Sequence, residues 1–193
     1  MSADNIKQAA LVHFARDGYE GASLKSIADD CGIKKPSIYA HFSSKEHLFL
    51  QVLQDVFEQQ ERKIDAFFAS CADQPLEEQL RGFLDSRQAA YELDDETRFF
   101  LRMSFFPPSS LYVEVMEEMV YPFIGRQEDM VTRLLDKGCP AHGDIIHHSR
   151  QAAIAYITLL DGIYVEILYG GKDRTARRIA AVWPVYWSGV TKE

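Results

Sequence analysis

Apolar residues recur along almost the whole chain at intervals of three and four, the spacing that lines one face of an α-helix. Ile6, Ala9, Ala10, Leu11 and Phe14 mark a first helix, and Gly18, free to take a positive φ, is a suitable residue to stop it. Ser23 is a good N-cap for a second helix, with Leu24, Ile27 and Ala28 on its inner face, which runs to about Cys31 and stops at Gly32. Pro36 predicts the first position of a short third helix reaching about His41, with Lys35 held out of the helical region before it. The run Ser43-Ser44-Lys45-Glu46 reads as a capping box in which Ser43 caps a fourth helix and Glu46 reaches back to it.

The apolar series of that fourth helix continues from Leu48 to Phe68, long enough to connect two layers of structure, and Pro75 is the first clear break after it. The same spacing predicts helices at 76–92, 95–105, 109–137 with a bend near Pro122 and Gly125, 144–169 and 173–189. Period-two alternation is scarce, and no Asn-Gly or Asp-Gly turn is flanked by alternating apolar residues. The expected class is all-α.

With 193 residues, 47% hydrophobic and 26% charged, the chain suits one soluble domain or a small domain joined to a larger one. The richest apolar stretch, Ala152 to Leu168, is broken by Asp161 and Glu166, so no membrane span and no membrane partner are expected. The N-terminus lacks the pattern of a signal peptide, and three widely spaced cysteines suit reduced thiols; both point to the cytoplasm. There is no P-loop, Gly-rich dinucleotide turn, nucleophile elbow or His-Glu-x-x-His, and Asp161 and Glu166, five apart, do not share a helix face. The chain is therefore read as a non-enzyme without a cofactor.

Taken alone, a net charge of -8 argues against a nucleic-acid partner, but its distribution does not. Residues 1–48 are electrically neutral, and between Lys25 and Lys45 four lysines face only Asp29 and Asp30. In the same stretch, Ala28 leaves room for a close helix crossing, Gly32 allows a tight turn, and Ile38 plugs a small core completed by Ile27 and Ile33. Two short helices so joined are the layout of a helix-turn-helix, whose second helix enters the major groove. Lys34, Lys35, Pro36, Ser37, Tyr39, Ala40 and His41 are then its reading positions. Lys35 suits guanine, while Ser23, Tyr39, His41 and Lys45 suit phosphates, and Lys25 is a further DNA-contact candidate.

The segments Ala9-Ala10-Leu11…Phe14…Gly18-Tyr19, Ala22-Ser23…Ile27-Ala28…Cys31-Gly32-Ile33 and Ile38-Tyr39-Ala40-His41-Phe42…Ser44-Lys45…His47-Leu48 resemble the DNA-binding domain of the TetR family of bacterial transcriptional regulators. The resemblance covers about a quarter of the chain. It implies an N-terminal three-helix DNA-binding domain with a helix-turn-helix (1–47), followed by a larger helical domain (48–193) that binds an effector and dimerises. It also makes Lys35, Ser37, Tyr39 and His41 recognition positions and Lys45 a phosphate contact. Two departures stand out: Lys34-Lys35-Pro36 replaces a hydroxyl residue, a cation and glycine, and Ala40 stands where many relatives have a large aromatic.

Gln151 to Leu168 is apolar almost all round, and such a helix must be covered on more than one side. A homodimer through the helices near 151–168 and 173–189 would cover it, placing two reading helices on a pseudo-palindromic double-stranded operator. In a chain rich in aromatics, Phe99, Met103, Phe106, Tyr112, Tyr156 and Asp161 are the candidate lining of a pocket for a small-molecule effector of unknown identity. The expected mechanism is repression relieved when the effector favours a wrongly spaced dimer, with the fourth helix as lever. Cys139, His142, His147 and His148 match no closed tetrahedral spacing, so no metal is expected, and Cys31 reads as a small buried thiol rather than a redox switch. The rival is a helical binding module without DNA contact, which would show no salt-dependent DNA affinity.

Overall fold

The computed structural model describes residues 2–138 and 148–191, and among them every regular element is helical. The order is α1 (Ala3–Gly21), α2 (Leu24–Asp30), α3 (Lys35–Ile38), α4 (Lys45–Ser70), α5 (Leu76–Leu93), α6 (Asp95–Phe105), α7 (Tyr112–Val115), α8 (Tyr121–Gly138), α9 (Ser149–Tyr169) and α10 (Lys172–Thr191). The all-α expectation holds. The expected helix at 109–137 is broken: a 3-10 turn at Ser109–Leu111 precedes α7, and a π turn at Met116–Val120 follows it. Pro122 brings no N–H to the carbonyl of Glu118, and the chain passes that point as the wider π turn.

The chain forms two compact units, Met1–Arg62 with Asp94–Met119 and Lys63–Leu93 with Val120–Glu193. In the first, α1 buries Ile6, Ala10, His13 and Phe14 and is interrupted at Gly18, whose φ of 72° a side chain would resist. The Phe14 ring meets Phe49 edge-on, with centroids 5.0 Å apart, and Phe49 meets Phe99 of α6 in the same way at 6.2 Å. Asp94 caps α6, accepting from Glu96 N at 3.1 Å and from the Thr97 hydroxyl at 2.6 Å. Gln60 on α4 in turn donates to Thr97 Oγ1 at 3.2 Å. A buried polar link thus accompanies the aromatic one, so α6 is bound to the same core as the first three helices.

The second unit is built around α9, which packs on α5, α8 and α10. Tyr156 donates to Leu80 O at 2.7 Å, Tyr186 donates to Ala152 O at 3.0 Å, and Trp183 Nε1 donates to Glu77 Oε1 at 3.2 Å. Each large aromatic therefore buries its rings while its polar end finds a partner. By length and hydropathy α9 could cross a membrane, and one of its faces is committed to this packing. Its opposite face, with Ile154, Ala155, Thr158, Gly162 and Val165, is exposed.

Candidate nucleic-acid interface

The helix-turn-helix core is closed by three residues. Ile27, Ala28 and Ile38 are fully or almost fully buried, so α3 is clamped onto α2 where Ala28 admits a close crossing. Gly32 makes the turn at φ 65°, and Ile33 N donates to Ala28 O at 2.9 Å. Ser23 caps α2 by accepting from Lys25 N at 3.2 Å, which leaves its own hydroxyl hydrogen available to donate.

α3 differs from expectation at both ends. It opens at Lys35, with Lys34 as the extended residue before it (φ -87°, ψ 144°), so Pro36 occupies the second position. It closes at Ile38, and Tyr39 to His41 continue as a turn in which His41 N donates to Ile38 O at 2.9 Å. Proline contributes no N–H at a helix start where none is required, so the shift costs no hydrogen bond. Lys34, Lys35, Pro36, Ser37, Tyr39, Ala40 and His41 are all exposed. Lys25, Lys34 and Lys35 have no ion-pair partner among the described residues.

The cap of α4 lies one residue later than expected. Ser44 Oγ accepts from His47 N at 2.9 Å, while Ser43 N donates to His47 Nδ1 at 3.1 Å. The hydroxyl cap is therefore Ser44, and the side chain that reaches back to Ser43 is His47 rather than Glu46, because an imidazole nitrogen can accept from the preceding backbone as a glutamate does. Lys45 is held in place: its Nζ donates to Ala22 O at 3.1 Å and Glu20 O at 3.3 Å and lies 4.6 Å from the Tyr19 ring centroid. A cation at the carbonyl end of α1 is well placed electrostatically, and from this seat Lys45 joins α1 to the start of α4.

Sequence reasoning overlooked His13, which is buried on α1 and bonded to Asp30 of α2. Its position three after Ala10 and seven after Ile6 already placed it on the core face. Burial and the neighbouring Asp30 push the Cys31 thiol up, which keeps it from being a reactive thiolate.

The six candidate effector residues divide between the units. Phe99 and Met103 are buried in the first, where Phe106 and Tyr112 are half-exposed. Tyr156 and Asp161 lie in the second; Tyr156 is buried, and the Asp161 carboxyl is pushed up to about 6 by burial and by Glu128. Of the Cys139, His142, His147 and His148 group only His148 lies within the described residues. Among those residues, no cluster of three or more metal-binding side chains occurs.

The helix-turn-helix of this acidic chain presents exposed cations and hydroxyls of the kinds that bond phosphates and base edges. Residues 6–52 match the family described as "Bacterial regulatory proteins, tetR family". Over 46 residues the chain is 50% identical to the HTH-type transcriptional activator FasR of Mycolicibacterium smegmatis (24% of this chain, 21% of that one). Over 55 residues it is 38% identical to IcaR, the negative transcriptional regulator of the biofilm operon in Staphylococcus aureus (28% of this chain, 30% of that one). The chain thus spans less than a third of the length of these curated relatives. Similar solved structures extend over nearly all of it. A TetR-family regulator from Cytophaga hutchinsonii has a TM-score of 0.76 at 14% identity, covering 99% of this chain and 95% of that one. FadR from Bacillus subtilis, solved with stearoyl-CoA, has a TM-score of 0.70 at 17% identity, covering 98% and 100%. The match to the tetR family is thus confined to residues 6–52, and the chain as a whole has the fold of these solved structures.

Proposed function

We propose that this chain is a homodimeric transcriptional repressor that reads a pseudo-palindromic operator and leaves it when a small-molecule effector binds the second unit. The observation that carries the DNA half is the state of Lys25, Lys34 and Lys35. On a chain of net charge -8, three exposed ammonium groups around the helix-turn-helix have no acidic partner among the described residues. Such groups are available to phosphates and guanine edges, with Ser23, Ser37, Tyr39 and His41 exposed beside them. Because α3 is only four residues long, reading extends into the turn that carries Tyr39 and His41.

The exposed faces of α9 and α10 support the dimer. Ile154 (43%), Val165 (41%) and Tyr169 (72%) on α9, with Val185 (76%) on α10, leave apolar surface that a two-fold copy would cover. Two reading helices would then meet half-sites about 34–36 Å apart or at a wider multiple. The stearoyl-CoA held by FadR, a structural relative, supports a small-molecule effector, and the negative role of IcaR supports repression. The activator role of FasR favours the second reading, activation through the same operator.

The test is fluorescence anisotropy against DNA from upstream of the chain's own coding region, with a scrambled duplex as control, over a series of salt concentrations. Preference for the native duplex that weakens steeply with salt is the expected result. Equal binding to both duplexes at every salt, or none, refutes autoregulation, and transcription from the same DNA separates repression from activation.

A further inference from the structure

The interior of the second unit holds a cation that nothing among the described residues neutralises. Arg87, on α5, is about nine-tenths buried. Its Nε donates to Phe83 O at 3.2 Å, and Nε and Nη2 reach Ser86 Oγ at 3.2 and 2.8 Å. The guanidinium also lies 4.0 Å from the Phe83 ring centroid and 6.0 Å from that of Phe67, and its charge is felt at the Tyr164 hydroxyl of α9. All of these partners are neutral. No carboxylate among the described residues pairs with Arg87, and the neighbouring Asp85 pairs with Arg81 instead.

The next residue repeats the pattern. Gln88, equally buried, donates its amide hydrogen to Glu92 Oε1 at 2.8 Å and leaves its own Oε1 buried with no donor. An unpaired buried charge is unfavourable, and pairing with an anionic ligand restores the balance at Arg87, whereas an acceptor-only anion leaves Gln88 Oε1 as it is. Arginine presents parallel N–H donors that match a carboxylate at two points.

We propose that the second unit takes an amphipathic carboxylate, its anionic head paired with Arg87 and its apolar body against Phe67, Phe83 and Tyr164. This rests on the reading that the second unit binds the effector, and it names the effector's chemical class. A neutral ester of the same body keeps the apolar contacts and loses the two-point pair; a cationic amphiphile meets repulsion at the same place.

The experiment titrates the full chain by calorimetry with octanoate, laurate and palmitate, with their methyl esters, and with dodecyltrimethylammonium. At least one acid should bind about tenfold or more tightly than its ester. In Arg87→Met, which fills the aromatic slot without the charge, that ratio should fall to within about twofold, with circular dichroism confirming the helical fold. Should Arg87→Met fail to fold, Arg87→Lys keeps the charge without the two-point donor and should keep a reduced preference. Esters or the cation binding as well as the acids, no acid binding at all, or an acid preference unchanged in the variant would each overturn the proposal. Operator anisotropy on the same samples separates the two readings. Arg87-dependent acid binding with no effect on DNA sinks only the effector role, and DNA release by ligands without an acid preference sinks only the chemical class.

Discussion

His13 Nε2 lies 2.7 Å from Asp30 Oδ2, tying α1 to the end of α2 across a separation of seventeen residues. On its other side, Arg16 Nη2 is 3.2 Å from His13 Nδ1. A guanidinium has donors only, so the geometry suits Nδ1 as the acceptor from Arg16 and Nε2 as the donor to Asp30. Asp30→Ala leaves that buried N–H without an acceptor and should cost about 1–2 kcal/mol, read as a lower denaturation midpoint with unchanged slope. Asp30→Asn, which retains an acceptor, should lose less. Equal losses in the two variants would remove the hydrogen bond from the account.

Lys35 and Lys45 should separate cleanly. Lys35 is exposed and unpaired, so Lys35→Ala should leave stability unchanged, weaken operator binding by about 1–3 kcal/mol and relax one base position. Lys45 donates to two carbonyls of the first helix and its turn, so Lys45→Ala should lower stability by about 1 kcal/mol. It should also weaken all duplexes alike. A melting curve and a panel of single-base operator variants read both effects; matching profiles for the two substitutions would refute the division.

Asp161 predicts a pH dependence. Its carboxyl is pushed up to about 6, first by burial and then by Glu128, so the folded chain holds that proton more tightly than the unfolded one. Its contribution to stability is therefore most favourable below about pH 4 and declines as pH rises to about 6, after which it is constant. Discounted for its partial exposure, the loss should be about 1–2 kcal/mol. Asp161→Asn should remove that slope and be the more stable protein at pH 7.5; a variant equal to or weaker than the parent there would contradict the burial argument.

The proposed dimer face is exposed in the single chain, so charging it should disrupt association without harming the fold. Val165→Glu on α9 should give a monomer at micromolar concentration by light scattering, with unchanged helical content and much weaker operator binding. A parent chain that is already monomeric at that concentration would end the dimer proposal.

The positions of the helices were legible because burial of one face imposes a repeat that survives in a single sequence. α5, α6, α9 and α10 lie within a few residues of their expected ranges wherever they are described. The core of the helix-turn-helix was legible for a related reason: Ala28, Gly32 and Ile38 each satisfy a local steric demand that few residues can meet. His13 and Arg87 were not, since a polar residue on an apolar face does not reveal whether it will find a partner.

By itself, then, the sequence determined the helical class, the breaks at Gly18 and Gly32, and the basic reading stretch, all consequences of spacing and backbone freedom between near neighbours. Tertiary structure decided between Ser43 and Ser44 as the cap of α4, because both serines offer the same hydroxyl and only the folded backbone turns that of Ser43 to the His47 ring and that of Ser44 to His47 N. It likewise decided that α6 shares a core with α1, through Phe99 on Phe49 and Thr97 on Gln60, and that Lys45 turns back onto α1. Those pairings join residues far apart in the chain, and which distant surfaces meet depends on the shape of the whole core rather than on any local pattern.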